Sequence, residues 1–383
     1  MLQKYTTIRN IEKMANSNLT SAKRAKNDEF YTQYHDIEKE ISAYIEYNPN
    51  LFRGKTVLLP CDDPEWSNFT KFFAQNFEQY GIKKLISTSY APESKKYKTH
   101  YQPSLFEVND PQFDQYKTTK NGKIFTLTHD KMGDGKVDID DLEWTYLQGD
   151  GDFNSDEIKE LRNEADMIIT NPPFSLFRDF LAWVVEADKQ FLVIGNINAI
   201  TYKEVFPLIK EDRLWLGVTN FNKGMYFQVP DDFVYADSYK FEREQNGVKV
   251  NRVPGVCWYT NLDHGRRHEP LPLMTDEDII KFATKKPFDK YDNYDAIEVP
   301  LVKYIPSDYK GIMGVPITFL DKYSPEQFEI LGITQRNDDP YKIKQYTKAD
   351  YKNANDLNAR GVIIIDGKPK AIYARVLIKK RKK

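Results

Sequence analysis

The chain has 383 residues, 40% of them hydrophobic and 29% charged, with a formal net charge of −2. That length is ample for two domains and a buried core, while no segment approaches the ~18 apolar residues of a membrane span and Met1-Leu2-Gln3-Lys4-Tyr5 has no apolar signal-peptide core. The two cysteines, Cys61 and Cys257, lie far apart and read as free thiols of a reducing cytosol, so a cytoplasmic protein with no membrane contact is expected.

From about residue 55 to 200, short apolar strands alternate with helical patterns, the signature of a parallel α/β sheet. Thr56-Val57-Leu58-Leu59-Pro60 reads as the first strand. A helix follows, with Trp66, Phe69, Phe72, Phe73, Phe77 and Tyr80 on one stripe and Gly81 as its stop. Lys84 to Thr88 is a second strand. Residues 91–143, rich in Lys, Asp and Gly, read as an insertion with one strand at 123–128. The rhythm resumes with Met167-Ile168-Ile169-Thr170, then an amphipathic helix carrying Leu176, Phe177, Phe180, Leu181 and Val184. Phe191-Leu192-Val193-Ile194 is a further buried strand, with a helix near 201–210.

After residue 212 the segments 214–218, 225–229 and 256–259 read as antiparallel strands closing the edge of the sheet. From about 263 the rhythm is irregular and proline-punctuated. Ser324-Pro325-Glu326-Gln327 has the pattern of a helix start. Val362 to Ile365, Asp366-Gly367 and Ala371 to Val376 read as a β-hairpin. A boundary near 263 then gives a catalytic domain over 1–262, with 91–143 inserted, and a second region over 263–383.

Chemistry concentrates where the strands end, since ligands of open α/β sheets bind beyond the carboxyl ends of the strands. Three such places stand out: Pro60-Cys61-Asp62-Asp63-Pro64, Gly149-Asp150-Gly151-Asp152-Phe153 and Asn171-Pro172-Pro173-Phe174. A carboxylate there can accept bonds from ribose hydroxyls or an ammonium, and an Asp-Phe pair can bond an adenine amine and cover its ring. Together they describe a nucleoside-containing cofactor lying across the strand ends.

Asn171-Pro172-Pro173-Phe174 offers rigid hydrogen-bond acceptors beside a flat stacking face, which is what gripping an exocyclic amine requires. Such an amine is a weak nucleophile because its lone pair is delocalised into the ring. The Asn171 side-chain oxygen and the Pro172 carbonyl can each accept one of its N–H bonds, favouring sp³ geometry and aiming the lone pair at an electrophile. Phe174 would stack on a base flipped out of a duplex.

Other patterns carry less. Asp130-Lys131-Met132-Gly133-Asp134-Gly135-Lys136-Val137-Asp138 imitates a calcium loop, but Met132 occupies a ligand position and Asp141 replaces the closing Glu. His264 and His268 have zinc-compatible spacing without a third ligand nearby, and with Arg266 and Arg267 they suit DNA contact or a hydrogen-bonded turn. No metal is expected. Ser21 to Lys26 and Lys379 to Lys383 are basic stretches that could meet phosphate, although such runs are more often solvated.

The sequence resembles the EcoRI-type adenine-specific DNA methyltransferases. The resemblance is carried by Asp28-Glu29-Phe30-Tyr31-Thr32-Gln33, Cys61-Asp62-Asp63-Pro64, Gly149 to Phe153, Asn171 to Phe174, Gly195-Asn196-Ile197-Asn198-Ala199-Ile200-Thr201 and Met313 to Asp321. It implies a class I methyltransferase fold, a Rossmann-like, mostly parallel sheet with an antiparallel edge hairpin, followed by a smaller α+β target-recognition region. It also implies S-adenosylmethionine as cofactor, methylation of adenine N6 in double-stranded DNA, and a monomer serving a restriction-modification system beside a cognate endonuclease. Phe30, Tyr31 and Thr32 are implied to line the methionine end of the cofactor. Two departures from methyltransferases at large stand out. Pro60-Cys61-Asp62-Asp63-Pro64 replaces the usual glycine-rich turn, leaving open whether Asp62 or Asp63 meets the cofactor. The second strand ends in Ser87-Thr88-Ser89-Tyr90 without an acidic residue for the ribose. The competing expectation on the same fold is an enzyme acting on an exocyclic amine of RNA or a glutamine amide of protein.

Overall fold

The structure, a computed structural model, describes residues 31–62, 67–91, 110–219, 224–229, 233–284, 287–335, 339–349 and 351–382. The chain divides into two compact units, Met1–Ile197 with Gly217–Leu262, and Asn198–Leu216 with Asp263–Lys383. In the first, a short strand β1 (Tyr31–Thr32) and helix α1 (Tyr34–Tyr47) precede strand β2 (Thr56–Leu59), helices α2 (Asn68–Gln75) and α3 (Phe77–Tyr80) and strand β3 (Lys84–Thr88). Helix α4 (Gln115–Lys120), strands β4 (Lys123–Leu127) and β5 (Glu143–Tyr146), helix α5 (Asp156–Glu164), strand β6 (Met167–Thr170), helix α6 (Phe177–Glu186) and strand β7 (Gln190–Asn196) follow. Residues 198–216 hold α7 (Phe206–Lys210) and β8 (Trp215–Leu216) of the second unit. The first unit then closes with β9 (Met225–Gln228), β10 (Glu244–Gln245), β11 (Val248–Val253) and β12 (Val256–Thr260).

Within this unit the main sheet has the order β5-β4-β3-β2-β6-β7-β12. Strands β2, β3, β6 and β7 are mutually parallel, with Leu59 opposite Ser87 and Leu58 opposite Ile168. All four residues of β2 and of β6 are buried, as the continuous apolar runs require of strands covered on both faces. From β2 the chain goes one way to β3 and later returns on the other side as β6. The carboxyl ends of β2 and β6 therefore flank the point where the winding reverses, the place at which open α/β sheets bind ligands.

The helix expected over 66–80 begins where Ser67 caps it by accepting the Phe69 amide. It breaks at Asn76 into α2 and α3, and Gly81 ends it in the left-handed region at φ 65°. Phe69, Phe72 and Phe73 pack into one core with Ile37 and Ile41 of α1, Leu59, Ile169, Ile194 and Trp258. Helix α1 also carries a fully buried carboxylate. Glu40 accepts the Val218 and Thr219 amides at 2.7 Å each and the Tyr44 hydroxyl at 3.1 Å. Burial pushes its pKa up. Those three donors satisfy the group and pin the turn that leads toward β9.

The sequence expectations need three corrections here. Segment 91–143 is not wholly an appendage, because β4 pairs antiparallel with β3 and β5 with β4, extending the main sheet. Of the late strands, β12 does close the sheet against β7. Strand β9 instead joins a separate sheet of order β1-β9-β11-β10, so the Tyr31-Thr32 segment is itself a strand. Helix α1 was not anticipated, although Ile37, Ile41 and Tyr44 lie on one helical stripe.

The second unit has a sheet of order β13-β14-β15-β19-β16, formed by β13 (Asp289–Lys290), β14 (Ala296–Glu298), β15 (Ile312–Pro316), β16 (Phe328–Ile333) and β19 (Arg375–Lys380). Glu298 accepts Arg375 at 2.7 and 2.9 Å, a charged pair locked between strands. The helix start expected at Ser324 is a single turn, with the Gln327 amide on the Ser324 carbonyl, that runs straight into β16. Gln327 turns sideways to bond the Leu271 amide and carbonyl, and pairing of β16 with β19 overrides the local helix signal. The hairpin exists as β17 (Val362–Ile365) against β18 (Lys368–Ala371), with Asp366 and Gly367 both at positive φ. Its second strand is shorter and earlier than expected, because Arg375 onward belongs to β19. The basic tail is partly built in: Lys380 bonds the Ser307 carbonyl and Arg381 the Pro325 carbonyl.

Candidate active site

The two loops at the reversal point are tied together at their roots. Asp62, 5% exposed, follows β2 through Pro60 and Cys61. Its carboxylate accepts the Ser67 hydroxyl at 2.7 Å and the Thr170 hydroxyl at 2.6 Å, while its carbonyl accepts the Ser87 hydroxyl. Thr88 adds a bond to the Pro60 carbonyl at 3.0 Å, so the end of β3 holds the same turn.

Thr170 is the last residue of β6, and Asn171 comes next. Asn171 is half-buried and Pro172 buried. The Leu176 amide closes on the Pro173 carbonyl at 2.9 Å, turning the chain through Phe174–Leu176 into α6. The ring of Phe177, the first residue of α6, packs against Gly195 of β7, where an added Cβ would fall 2.4 Å from it. The glycine of the Gly195-Asn196-Ile197-Asn198 string thus seats the helix that carries the loop.

Phe174 meets Phe227 of β9 edge to face, with ring centroids 6.2 Å apart. Across the small sheet Thr32 pairs with Phe227, so the Tyr31-Thr32 strand and the Asn171–Phe174 loop meet through one aromatic ring. Asn68, the first residue of α2, donates to the Thr32 carbonyl at 2.8 Å. Thr32 Oγ1 is buried and makes no hydrogen bond among the described residues.

Segment 149–153 arrives beside the end of β3. Gly151 has φ 88°, and a Cβ on it would lie 2.3 Å from the Ser89 carbonyl oxygen. The Ala91 amide bonds the Asp150 carbonyl at 2.8 Å. Asp152 accepts the Asn154 amide at 2.8 Å, shaping the entry to α5. Phe153 is 6% exposed, with its ring against Phe180 at 5.3 Å and Trp183 at 5.8 Å. That ring packs against the residues of α6.

Among the sequence-selected residues, Tyr31, Thr32, Pro60, Cys61, Asp62, Gly151, Asp152, Phe153 and Asn171 to Phe174 all belong to the first unit; Phe30 and Asp63 lie outside the described residues, as does the basic stretch 21–26. Sequence reasoning missed Ser67, Asn68, Thr170 and Phe227. Ser67 was legible as a helix cap, but the others have no local signature.

The imitations resolve on local bonds. Asp130 accepts the Gly133 and Gly135 amides, and Asp141 those of Lys131, Met132 and Asp138, so these carboxylates shape a loop. His264 bonds the Leu216 carbonyl at 3.1 Å, whereas His268 bonds Asp263 at 2.9 Å and Glu326 at 2.7 Å. Arg266 pairs with Asp321 at 2.7 Å, and Arg267 with Asp212 while lying 3.8 Å above the Trp215 ring. The segment is a hydrogen-bonded turn held by these contacts.

The two histidines titrate with opposite consequences. Hydrogen bonds to Asp263 and Glu326 hold the His268 pKa above 6.5, so its stabilisation is complete below 6.5 and fades as pH rises through the folded value. Burial holds the His264 pKa below 6.5, so its contribution is present above 6.5 and lost as pH falls. His268→Gln is expected to remove the alkaline-side decline of the thermal midpoint while leaving the acid-side decline intact. Midpoints recorded between about pH 5 and 8, the range in which histidine titrates, check this; an unchanged alkaline limb in the variant would count against it.

Among the described residues no helix is long and apolar enough to cross a membrane. The family whose sequence model matches residues 18–381 is described as "Adenine-specific methyltransferase EcoRI". The chain is 43% identical over 318 residues to the Type II methyltransferase M.EcoRI of Escherichia coli, covering 82% of this chain and 89% of that one. It is 37% identical over 363 residues to the Type II methyltransferase M.MpnI of Mycoplasma pneumoniae, covering 94% and 97%. The Type II methyltransferase M.MgeORF184P of Mycoplasma genitalium is 35% identical over 364 residues, covering 94% and 98%. No solved structure matches the chain.

Proposed function

From the premise that this chain belongs to the adenine-specific EcoRI methyltransferase family, and is thus a Type II DNA methyltransferase on a class I fold, we propose that it transfers a methyl group from S-adenosylmethionine to a flipped-out adenine held by Asn171, Pro172, Pro173 and Phe174. The observation that carries the reading is the gathering of these residues, the Pro60-Cys61-Asp62 turn and the Tyr31-Thr32 strand around the ends of β2 and β6.

The residues fit an amino-acid-bearing nucleoside. Thr32 offers a buried hydroxyl oxygen that makes no bond among the described residues, and Gly151 lets segment 149–153 pack directly against the Ser89 backbone at the end of β3. Tyr31 and Thr32 would hold the methionine end. Pro60, Cys61, Gly151 and Asp152 would hold the nucleoside end, with Phe153 buttressing that segment from behind. Phe30 and Asp63 keep the cofactor roles that the resemblance gives them. S-adenosylmethionine, when bound, supplies an electrophilic methyl on sulfur.

The chain's own part is orientation. Asn171 Oδ1 and the Pro172 carbonyl accept the two N–H bonds of the adenine amine and turn its lone pair out of the ring plane. Phe174 covers the base, braced edge-on by Phe227. The amine becomes acidic only after it is methylated, so its proton can pass to water and no strong general base is required.

Residues 1–262 then serve as the catalytic domain, and residues 263–383 supply target recognition. We place the enzyme in the cytoplasm as a monomer, with a cognate endonuclease as a functional companion. Methylation-sensitive sequencing of DNA from cells expressing the chain tests the reading. N6-methyladenine at one recurrent sequence is expected, and methyl groups on RNA or on protein glutamine with none on DNA would overturn it.

A further inference from the structure

Two parallel neighbours at a winding reversal send their loops in opposite directions, so the crevice between them opens and nothing in the backbone ladder sets its width. Here a side chain bridges it. Asp62, beyond β2, takes the hydroxyl of Thr170, the residue before Asn171, at 2.6 Å. Its other oxygen takes the Ser67 hydroxyl at 2.7 Å. Ser67 caps α2, and the next residue, Asn68, bonds the Thr32 carbonyl at 2.8 Å. The Asp62 carbonyl receives the Ser87 hydroxyl from β3, and Ser87 is 2.9 Å from the Thr70 hydroxyl on α2. Thr70, Ser87 and Thr170 are fully buried and Ser67 is 3% exposed, so water competes little for these bonds.

Building on the methyltransferase reading above, we propose that Asp62 is a positioning residue: its carboxylate fixes the Asn171–Phe174 clamp, through Thr170, against the α2 and Thr32 side of the site, and it does not itself bind the methyl donor. A carboxylate receiving two hydroxyls is a short, charge-assisted tie, and its three anchor points are the roots of the elements that must hold donor and acceptor in register. The Ser67, Thr170 and Ser87 hydroxyls all end on this one residue. Loss of the Thr170 hydroxyl would free the clamp to shift, and a displacement near 1 Å in a transfer site costs about 100-fold in rate.

The test compares Thr170→Val, Thr170→Ser, Asp62→Asn and the Asp62→Asn/Thr170→Val double variant in the full chain. Donor affinity is read by calorimetry with S-adenosylmethionine alone. Transfer is read as single-turnover methylation of unmethylated plasmid DNA carrying the mapped site. Thr170→Val and Asp62→Asn are each expected to lose about 100-fold in transfer with donor affinity nearly unchanged. Thr170→Ser should recover most of the rate, and the double variant should be no slower than the worse single one. Donor binding lost in Asp62→Asn while Thr170→Val transfers normally would make Asp62 a ligand and overturn the proposal. Should Asp62→Asn fail to fold, the Thr170→Val and Thr170→Ser pair decides alone, with equal rates refuting the tie. A wild-type chain that methylates no adenine would instead remove the underlying reading.

Discussion

Asn171→Ala is expected to lower single-turnover methyl transfer by roughly 100- to 1000-fold, the loss that follows removal of one preorganised polar contact at a reacting centre, while S-adenosylmethionine binds almost as before. The side chain stands on the first residue past β6, whose four residues are all buried and paired with β7, the first two also with β2, so the scaffold survives the truncation. What disappears is one of two acceptors that distinguish a pyramidal amine from a flat one. The contact matters only as the nitrogen changes geometry, and so its loss appears in the rate and not in donor affinity. Asn171→Asp keeps an oxygen acceptor in place and should retain more activity than Asn171→Ala. Calorimetric donor titrations alongside quenched single-turnover assays measure both variants. Wild-type transfer by Asn171→Ala would remove Asn171 from the clamp.

Gly151→Ala is expected to cost roughly 2–5 kcal/mol of stability, combining the 1–2 kcal/mol of a left-handed alanine with 1–3 kcal/mol of overpacking. The backbone stands at φ 88°, and the new methyl would fall 2.3 Å from the Ser89 carbonyl oxygen and 3.4 Å from Tyr90 Cα. Both are main-chain obstacles, so no side-chain rotation relieves the clash. Either segment 149–153 lifts away from the end of β3 or β3 itself shifts, and both movements disturb the nucleoside side of the site. Urea unfolding midpoints should fall, and donor affinity should fall with them in the fraction that remains folded. A variant as stable as the wild type would show that this close approach does not exist in solution.

Much of the site was legible residue by residue. The continuous apolar runs that became β2, β3, β6 and β7 could only be buried parallel strands, and the breaks that follow them had to carry the ligand chemistry. Asn171-Pro172-Pro173-Phe174 suggested an amine clamp through its acceptors and a stacking ring, without reference to anything distant. Tyr31-Thr32 was legible only through resemblance, because two residues carry no periodicity. The second unit was the least readable. Its strands are short and interrupted by prolines, and the helix pattern at Ser324 lost to the ladder between β16 and β19.

Side-chain roles beyond the loops were decided by packing. The Phe153 ring of the Asp-Phe pair at 152–153 lies against Phe180 and Trp183, contacts that no local pattern announces. Arg266 and Arg267 find carboxylate partners within the second unit, Asp321 and Asp212, each far away in sequence.

By itself the sequence determined the parallel α/β class and placed Asn171-Pro172-Pro173-Phe174 at the end of an apolar strand, because apolar periodicity and its interruption are properties of adjacent residues. Only the tertiary structure decided that Asp62 meets Thr170, 108 residues away, and that Phe227 stands behind Phe174. Those contacts depend on strand order across the sheet and on which hydroxyl a buried carboxylate can reach. Both are set by the packing of the whole unit and by no local run of residues.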